Sequence, residues 1–349
     1  MTLQSSGTIR WSDIRNEFGA NISGGGVSLG RYRNSDSNFG NKNVGTLTDL
    51  PLDIGVPKSG TISASNFYSK RLNMVLDMYG GGTEFRVNCR TRYNDSSKVK
   101  VVGNYRSRPS STSNTRVIVN VNKTFGSETG GATRVAVRSG SGWGSNCDLD
   151  FEIGSNGKIY GAGGDGGDGG SANGSGGQNG QDGSSALGIE YSCTINNLGR
   201  IQSGYGGGGG GGGRREYRKS GKKSGRWVGS SGGGGGGGAG VQNSPGWWSS
   251  NGGDSPQDAY GGGSNGSDGG VGVDISSGAG GGGGQDAGAG GNGGAVNNSS
   301  TKGSDGASAG GGGGTGGANG WALRTTQGSL PSISGNAVIG RTATSASIA

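Results

Sequence analysis

Short runs of alternating apolar and polar residues are the main regular signal in the chain. Phe85, Val87 and Cys89 alternate with polar neighbours, as do Val99, Val101 and Tyr105, then Val117, Val119 and Val121, then Val135 and Val137, then Leu149, Phe151 and Ile153. A period of two, broken by Asn, Ser, Gly and Asp, predicts short strands with one buried face, and residues 83–150 read as a small antiparallel β domain. Upstream, Ser6–Arg15 is echoed by Ser59–Tyr68: each has a Ser-Gly-Thr-Ile phrase, then a serine able to cap a helical turn. Asp13–Glu17 and Asn66–Leu72 are the expected turns, and the polar stretch Ser23–Asn43 between them has no period of its own. Residues 1–82 therefore read as a docking region rather than a self-contained core.

The pattern changes again after residue 151. Phe151–Gly161 and Cys193–Gly204 are each strand, Asn-containing glycine turn, short strand, and each then runs into glycine. A flexible linker has no reason to carry apolar residues in the same register twice. Residues 151–349 are therefore read as a folded glycine-rich unit with runs at Gly206–Gly213, Gly232–Gly238, Gly280–Gly284 and Gly310–Gly314. Diverse segments lie between them: Arg214–Ser231, Val241–Tyr260, Val271–Ile275 and Asn292–Ser300. Glycine accounts for 90 of 349 residues, roughly four times the usual share, and only 27% of residues are hydrophobic. Such a segment cannot build an apolar core, so it is either disordered or held by backbone hydrogen bonds between closely packed chains. A threefold extended helix points its amides and carbonyls outward, and the missing Cβ lets neighbours approach. Few prolines and no strict Gly-X-Y period argue against collagen.

The formal charge of +8 concentrates in one place. Arg214, Arg215, Arg218, Lys219, Lys222, Lys223 and Arg226 crowd one segment, opposed there by Glu216. This cluster suits anionic groups; nucleic acid and a merely solvated loop are its rival readings. Tyr205, Tyr217, Trp227, Trp247, Trp248 and Tyr260 sit among Ser, Gly and Asn where no ordinary core exists. That is the composition of an adaptable recognition surface, with a hydrophobic plug for the glycine stack as the other reading. The candidate binding residues are thus these six aromatics with Arg214, Arg215, Arg218 and Lys222. The absence of histidine removes His-based catalysis and ligation. Asp148, Asp150 and Glu152 fall along one strand instead of facing each other across a cleft. The Gly163–Asp168 match to a calcium repeat lacks its apolar residue and its tandem copies, and Cys89, Cys147 and Cys193 have no metal-ligand spacing. No enzyme activity, cofactor or metal is expected.

The paired units ending at Gly161 and Gly204, with the interrupted glycine runs, resemble the glycine-rich tip adhesins of tailed bacteriophages. These are small receptor-binding proteins at the distal end of T4-like long tail fibres. The resemblance implies a mainly β and irregular fold ending in a polyglycine-II helix sandwich, its scaffold bounded by Gly206, Gly213, Gly232, Gly238, Gly280, Gly284, Gly310 and Gly314. It implies recognition loops between the runs. It also implies a place in the virion, with other tail-fibre or baseplate proteins as partners and an outer-membrane protein or lipopolysaccharide as receptor. Nucleic acid and membrane insertion are not expected, and a single tip and a homotrimer both fit. The Ser-Gly-Thr-Ile phrases resemble the openings of phage virion proteins generally, so a purely structural baseplate, fibre or capsid-decoration component is the alternative.

Overall fold

This computed structural model describes residues 3–18, 29, 56–57, 60–71, 73–78, 87–89, 99–102, 115–127, 131, 133–220, 224–240, 252–260, 262–272, 277–295, 307–308, 310–344 and 348. Near the start, α1 (Trp11–Phe18) opens with the Asp13 carboxylate accepting from the Arg10 amide at 2.8 Å. A 3-10 turn, Ala64–Phe67, follows Ser63, whose amide donates to Asn66 Oδ1 at 2.8 Å. α1 covers the first expected turn, whereas the 3-10 turn begins earlier than expected and shares only Asn66 and Phe67 with Asn66–Leu72; Leu3, Ile14, Val56 and Phe67 close into a small apolar cluster. Most of Ser23–Asn43 lies outside the described residues.

The strands are β1 (Met74–Met78), β2 (Val87–Asn88), β3 (Val99–Val102), β4 (Thr115–Val121), β5 (Thr124–Gly126), β6 (Val135–Arg138), β7 (Cys147–Ile153), β8 (Lys158–Tyr160), β9 (Ser185–Ile189), β10 (Thr194–Asn197), β11 (Arg200–Gln202), β12 (Arg214–Ser220), β13 (Ser224–Ser230), β14 (Trp321–Thr325), β15 (Ser332–Gly335) and β16 (Arg341–Ala343). They recur in a cycle of three. One sheet runs β15-β10-β7-β4-β1-β3, a second β11-β8-β5, a third β16-β14-β9-β6-β2. Each turn of the chain thus places one strand in each sheet: β4, β5, β6; then β7, β8, β9; then β10, β11, β14.

Every pairing between successive turns is parallel. The expected small antiparallel domain is therefore corrected: among the described strands of this coil only β3, on the edge of β1, pairs antiparallel. The physical cause lies in the glycine turns. Gly154–Gly157 does not fold β8 back on β7 but sends it round a corner into another sheet. The neighbour of β7 is then the same strand of the next turn, running the same way. At these corners the turns stack so closely that a Cβ on Gly157 would lie 2.1 Å from the Val121 carbonyl oxygen, and one on Gly199 2.1 Å from that of Gly157. The expected divisions at 82/83 and 150/151 do not coincide with breaks in pairing, since the sheet from β1 to β15 crosses both.

Parallel register stacks equivalent residues into ladders. Leu76, Val119, Phe151 and Ile195 align, with Ile333 continuing the row. Phe125, Ile159 and Ile201 form a second row, and Val137, Leu187 and Leu323 a third. All belong to one core, which also encloses Trp143, its indole N–H donating to the Ser139 carbonyl at 3.0 Å. On the opposite face Val75 and Ile118 are also buried, and the polar row beside them is self-satisfied: Asn120 donates to Asp77 at 2.8 Å and Asn196 to Glu152 at 2.8 Å.

Cys89, Cys147 and Cys193 are free and buried against this core. Burial pushes each thiol up to about 12. All three are therefore expected to resist maleimide in the folded protein at about pH 8 and to react together on denaturation, as a mass-spectrometric count of adducts would show.

Candidate recognition surface

Two consecutive turns of the coil are interrupted at the same corner. The chain leaves after β8 and returns at β9 through residues 161–184, then leaves after β11 and returns at β14 through residues 203–320. These excursions contain the glycine runs. In run 204–213, Gly204, Gly207, Gly210 and Gly213 donate to the carbonyls of Ser184, Gln181, Gln178 and Ser175, while Tyr205, Gly208 and Gly211 donate to Ala239, Gly236 and Gly233. Amides three residues apart thus point the same way. Run 232–240 is bonded in the same manner to runs 161–170, 204–213, 252–260, 263–270, 277–284 and 287–294.

Side chains are excluded from these contacts. A Cβ would lie about 2 Å from a neighbouring carbonyl oxygen at Gly206 (1.8 Å), Gly213 (1.9 Å), Gly232 (2.0 Å), Gly238 (1.9 Å), Gly280 (2.1 Å), Gly284 (1.9 Å) and Gly314 (1.8 Å). Gly310 differs: it takes φ +76° at the turn into the last run. The isolated acids and amides of this half have a use that sequence reasoning missed. Asp168, Asp182, Asp258 and Asp268 each accept from a backbone amide of another segment, at 2.7–2.9 Å, and Asn319 accepts from Gly206 at 2.9 Å. Their signal was their regular isolation among glycines.

Between runs 204–213 and 232–240 the chain forms the β12–β13 hairpin, the antiparallel two-stranded sheet. Strand alternation splits the basic cluster between two faces. On one, Arg214 Nη2 donates to Glu216 Oε2 at 2.6 Å, Arg218 Nε donates to the other oxygen, and Arg218 Nη2 reaches Asp286 at 2.8 Å. Arg218 first, then Arg214, holds the Glu216 carboxyl below its ordinary value. Asp286 sits at φ +60°, unusual for a residue with a side chain.

The opposite face is aromatic and open. Tyr217 and Trp227 are cross-strand partners with ring centroids 5.3 Å apart at 64°, and the Arg215 guanidinium lies 4.3 Å from the Trp227 ring centroid. Both rings are about half exposed, at 50% and 49%. Glycine makes room for them: a Cβ at Gly225 would lie 2.5 Å from the Tyr217 ring. Tyr260 joins the hairpin through paired 3.1 Å backbone bonds with Gly229, its ring over that glycine and 37% exposed.

The structure thus brings Arg215, Tyr217, Trp227 and Tyr260 onto one hairpin and turns Arg214 and Arg218 toward Glu216 and Asp286. Tyr205 is a correction: at 4% exposure it is packed among the glycine runs, and burial pushes its phenol up. It fills the stack because no neighbouring glycine offers apolar volume. Lys222, Trp247 and Trp248 lie outside the described residues. Trp321 is stacked between Arg324 and Arg341, at 4.4 and 4.6 Å.

The acidic strand residues are each engaged. Asp148 pairs with Arg71, Asp150 with Arg116 at 2.5 Å and with Thr194, and Glu152 with Asn196. Among the described residues no cluster of three or more His, Cys, Asp or Glu is arranged to hold a metal ion, and no helix is long and apolar enough to cross a membrane.

No family model and no curated protein matches the chain. Among solved structures it is similar to the crystal structure of the gp37-gp38 adhesin tip complex of the bacteriophage S16 long tail fiber, at 21% identity and a TM-score of 0.33, covering 82% of this chain and 89% of that one.

Proposed function

We propose that the chain is a virion adhesin of a tailed phage, seated at a tail-fibre tip, that attaches the particle to a surface receptor on its bacterial host. On this reading the glycine runs form a polyglycine-II sandwich. Threefold extended helices have no internal hydrogen bonds, so each must be satisfied by its neighbours, and only glycine permits the approach. At roughly 1 kcal/mol net per hydrogen bond, such a body stands only through many bonds acting together. It then serves as a rigid mount. Residues 1–82, which end in β1 of the coil, are the attachment region, and the receptor is an outer-membrane protein or lipopolysaccharide.

The observation that carries the reading is the Arg215–Tyr217–Trp227 face. Two half-exposed aromatics and a stacked arginine project from a hairpin anchored at both ends in mutually bonded glycine runs. Exposed Tyr, Trp and Arg on a firm support are the residues that dominate binding energy in recognition surfaces.

The test is competition. Purified folded chain should block adsorption of its parent phage to susceptible cells; a folded preparation without effect would overturn the adhesin role. Trp227→Ala should weaken that competition by about tenfold or more while lowering the melting temperature by no more than about 4 °C, because the half-exposed ring touches Tyr217 and Arg215 and makes no core contact.

A further inference from the structure

The geometry points to a recognition mode for the hairpin: the outer edge of β12 accepts an extended, acidic segment of the receptor polypeptide as a third strand. The inference rests on the adhesin reading and adds the chemistry of the partner.

The two edges of the hairpin differ. On β13, Gly229 exchanges both backbone bonds with Tyr260, each at 3.1 Å. Its amide and carbonyl therefore point away from β12, and the opposed pair Arg215–Gly229 is one of the non-hydrogen-bonded pairs of the ladder. Backbone groups alternate sides along a strand. Arg214, Glu216, Arg218 and Ser220 thus bond inward to β13, while Arg215, Tyr217 and Lys219 direct theirs outward. At the base the 171–174 turn comes near, since a Cβ on Gly174 would lie 3.6 Å from the Arg215 amide nitrogen. From Tyr217 onward the edge pairs with no other strand among the described residues.

An open edge invites pairing, and charge decides with what. The segment carries Arg214, Arg215, Arg218, Lys219, Lys222, Lys223 and Arg226 against its own Glu216 and the Asp286 that meets Arg218, and so keeps an excess of positive charge. Like charges oppose pairing between two copies of this hairpin. They favour an acidic strand, whose alternate side chains would meet Arg215 and the aromatic pair on one face.

Proline separates this mode from simple charge attraction. Lys219→Pro removes an outward amide and leaves the β12–β13 ladder intact; Lys219→Ala removes the same charge and keeps the amide. The probe is a fluorescein-labelled peptide alternating glutamate and valine, titrated with the full chain by fluorescence anisotropy. Saturable binding is expected, weakened by about tenfold in Lys219→Pro and by about threefold or less in Lys219→Ala. It should also be lost when alternate peptide amides are N-methylated. An unchanged melting temperature and near-ultraviolet circular dichroism spectrum report that each variant is folded. No saturable binding, equal losses in the two variants, indifference to N-methylation, or displacement by inorganic tripolyphosphate as effective as by unlabelled peptide would overturn strand pairing. The adhesin reading fails separately: wild-type chain that binds the peptide yet does not block phage adsorption refutes the role and leaves the pairing chemistry standing.

Discussion

Gly235→Ala is expected to destabilise the glycine-rich block by about 3–5 kcal/mol, an unusually large effect for one added methyl group. Run 232–240 has neighbours on all sides, and a Cβ on Gly235 would lie 2.1 Å from the Gly208 carbonyl oxygen. The obstacle is backbone, so no rotamer relieves it. The runs must part by an ångström or more, which adds overpacking strain of about 1–3 kcal/mol to the loss of roughly 1 kcal/mol for each hydrogen bond broken. Gly235 N–H to Gly167 O and Gly253 N–H to Gly235 O are the first to go. Gly312→Ala is the internal control, because a Cβ there meets nothing within 4 Å. That change should stay within about 0.5 kcal/mol. Thermal unfolding of the two variants would check the contrast, and equal melting temperatures would contradict it.

Phe151→Ala should cost about 3–5 kcal/mol by a different route. Phe151 is fully buried in the ladder between Val119 and Ile195, each in register on an adjoining strand. Removing the ring opens a cavity in the middle of the row, and strands tied on both sides cannot close over it. Urea unfolding followed by circular dichroism would measure the loss. Val271→Ala, at an exposed site, should differ from the parent by less than about 0.5 kcal/mol.

These two sites also mark what could be read before the fold was seen. Alternation locates β4 at Val117, Val119 and Val121 and β7 at Leu149, Phe151 and Ile153, since alternate residues of each strand line the common core. It could not supply direction. A corner and a hairpin turn both ask for Gly, Asn and Ser, so Gly154–Gly157 suits either, and the parallel coil is not legible from alternation. The paired units ending at Gly161 and Gly204 were recognised as repeats; that they are adjacent turns of one coil became visible only through pairing. The basic cluster is legible as charge, but its alternation has meaning only once Arg214–Ser220 is a strand. Along Arg214–Ser220, Glu216 falls on the face of Arg214 and Arg218, which leaves Arg215 beside the aromatics. Tyr205 follows the other reading, a plug of the glycine stack, because glycine backbones pack closely enough to enclose a phenol ring.

Amide hydrogen exchange on the 15N-glycine-labelled chain tests the ordered glycine scaffold most directly. The account predicts protection of at least about a hundredfold at Gly208, Gly211, Gly235 and Gly238, whose amides bond to Gly236, Gly233, Gly167 and Gly164. Exchange of these four amides at the rate of an unstructured glycine peptide would contradict it.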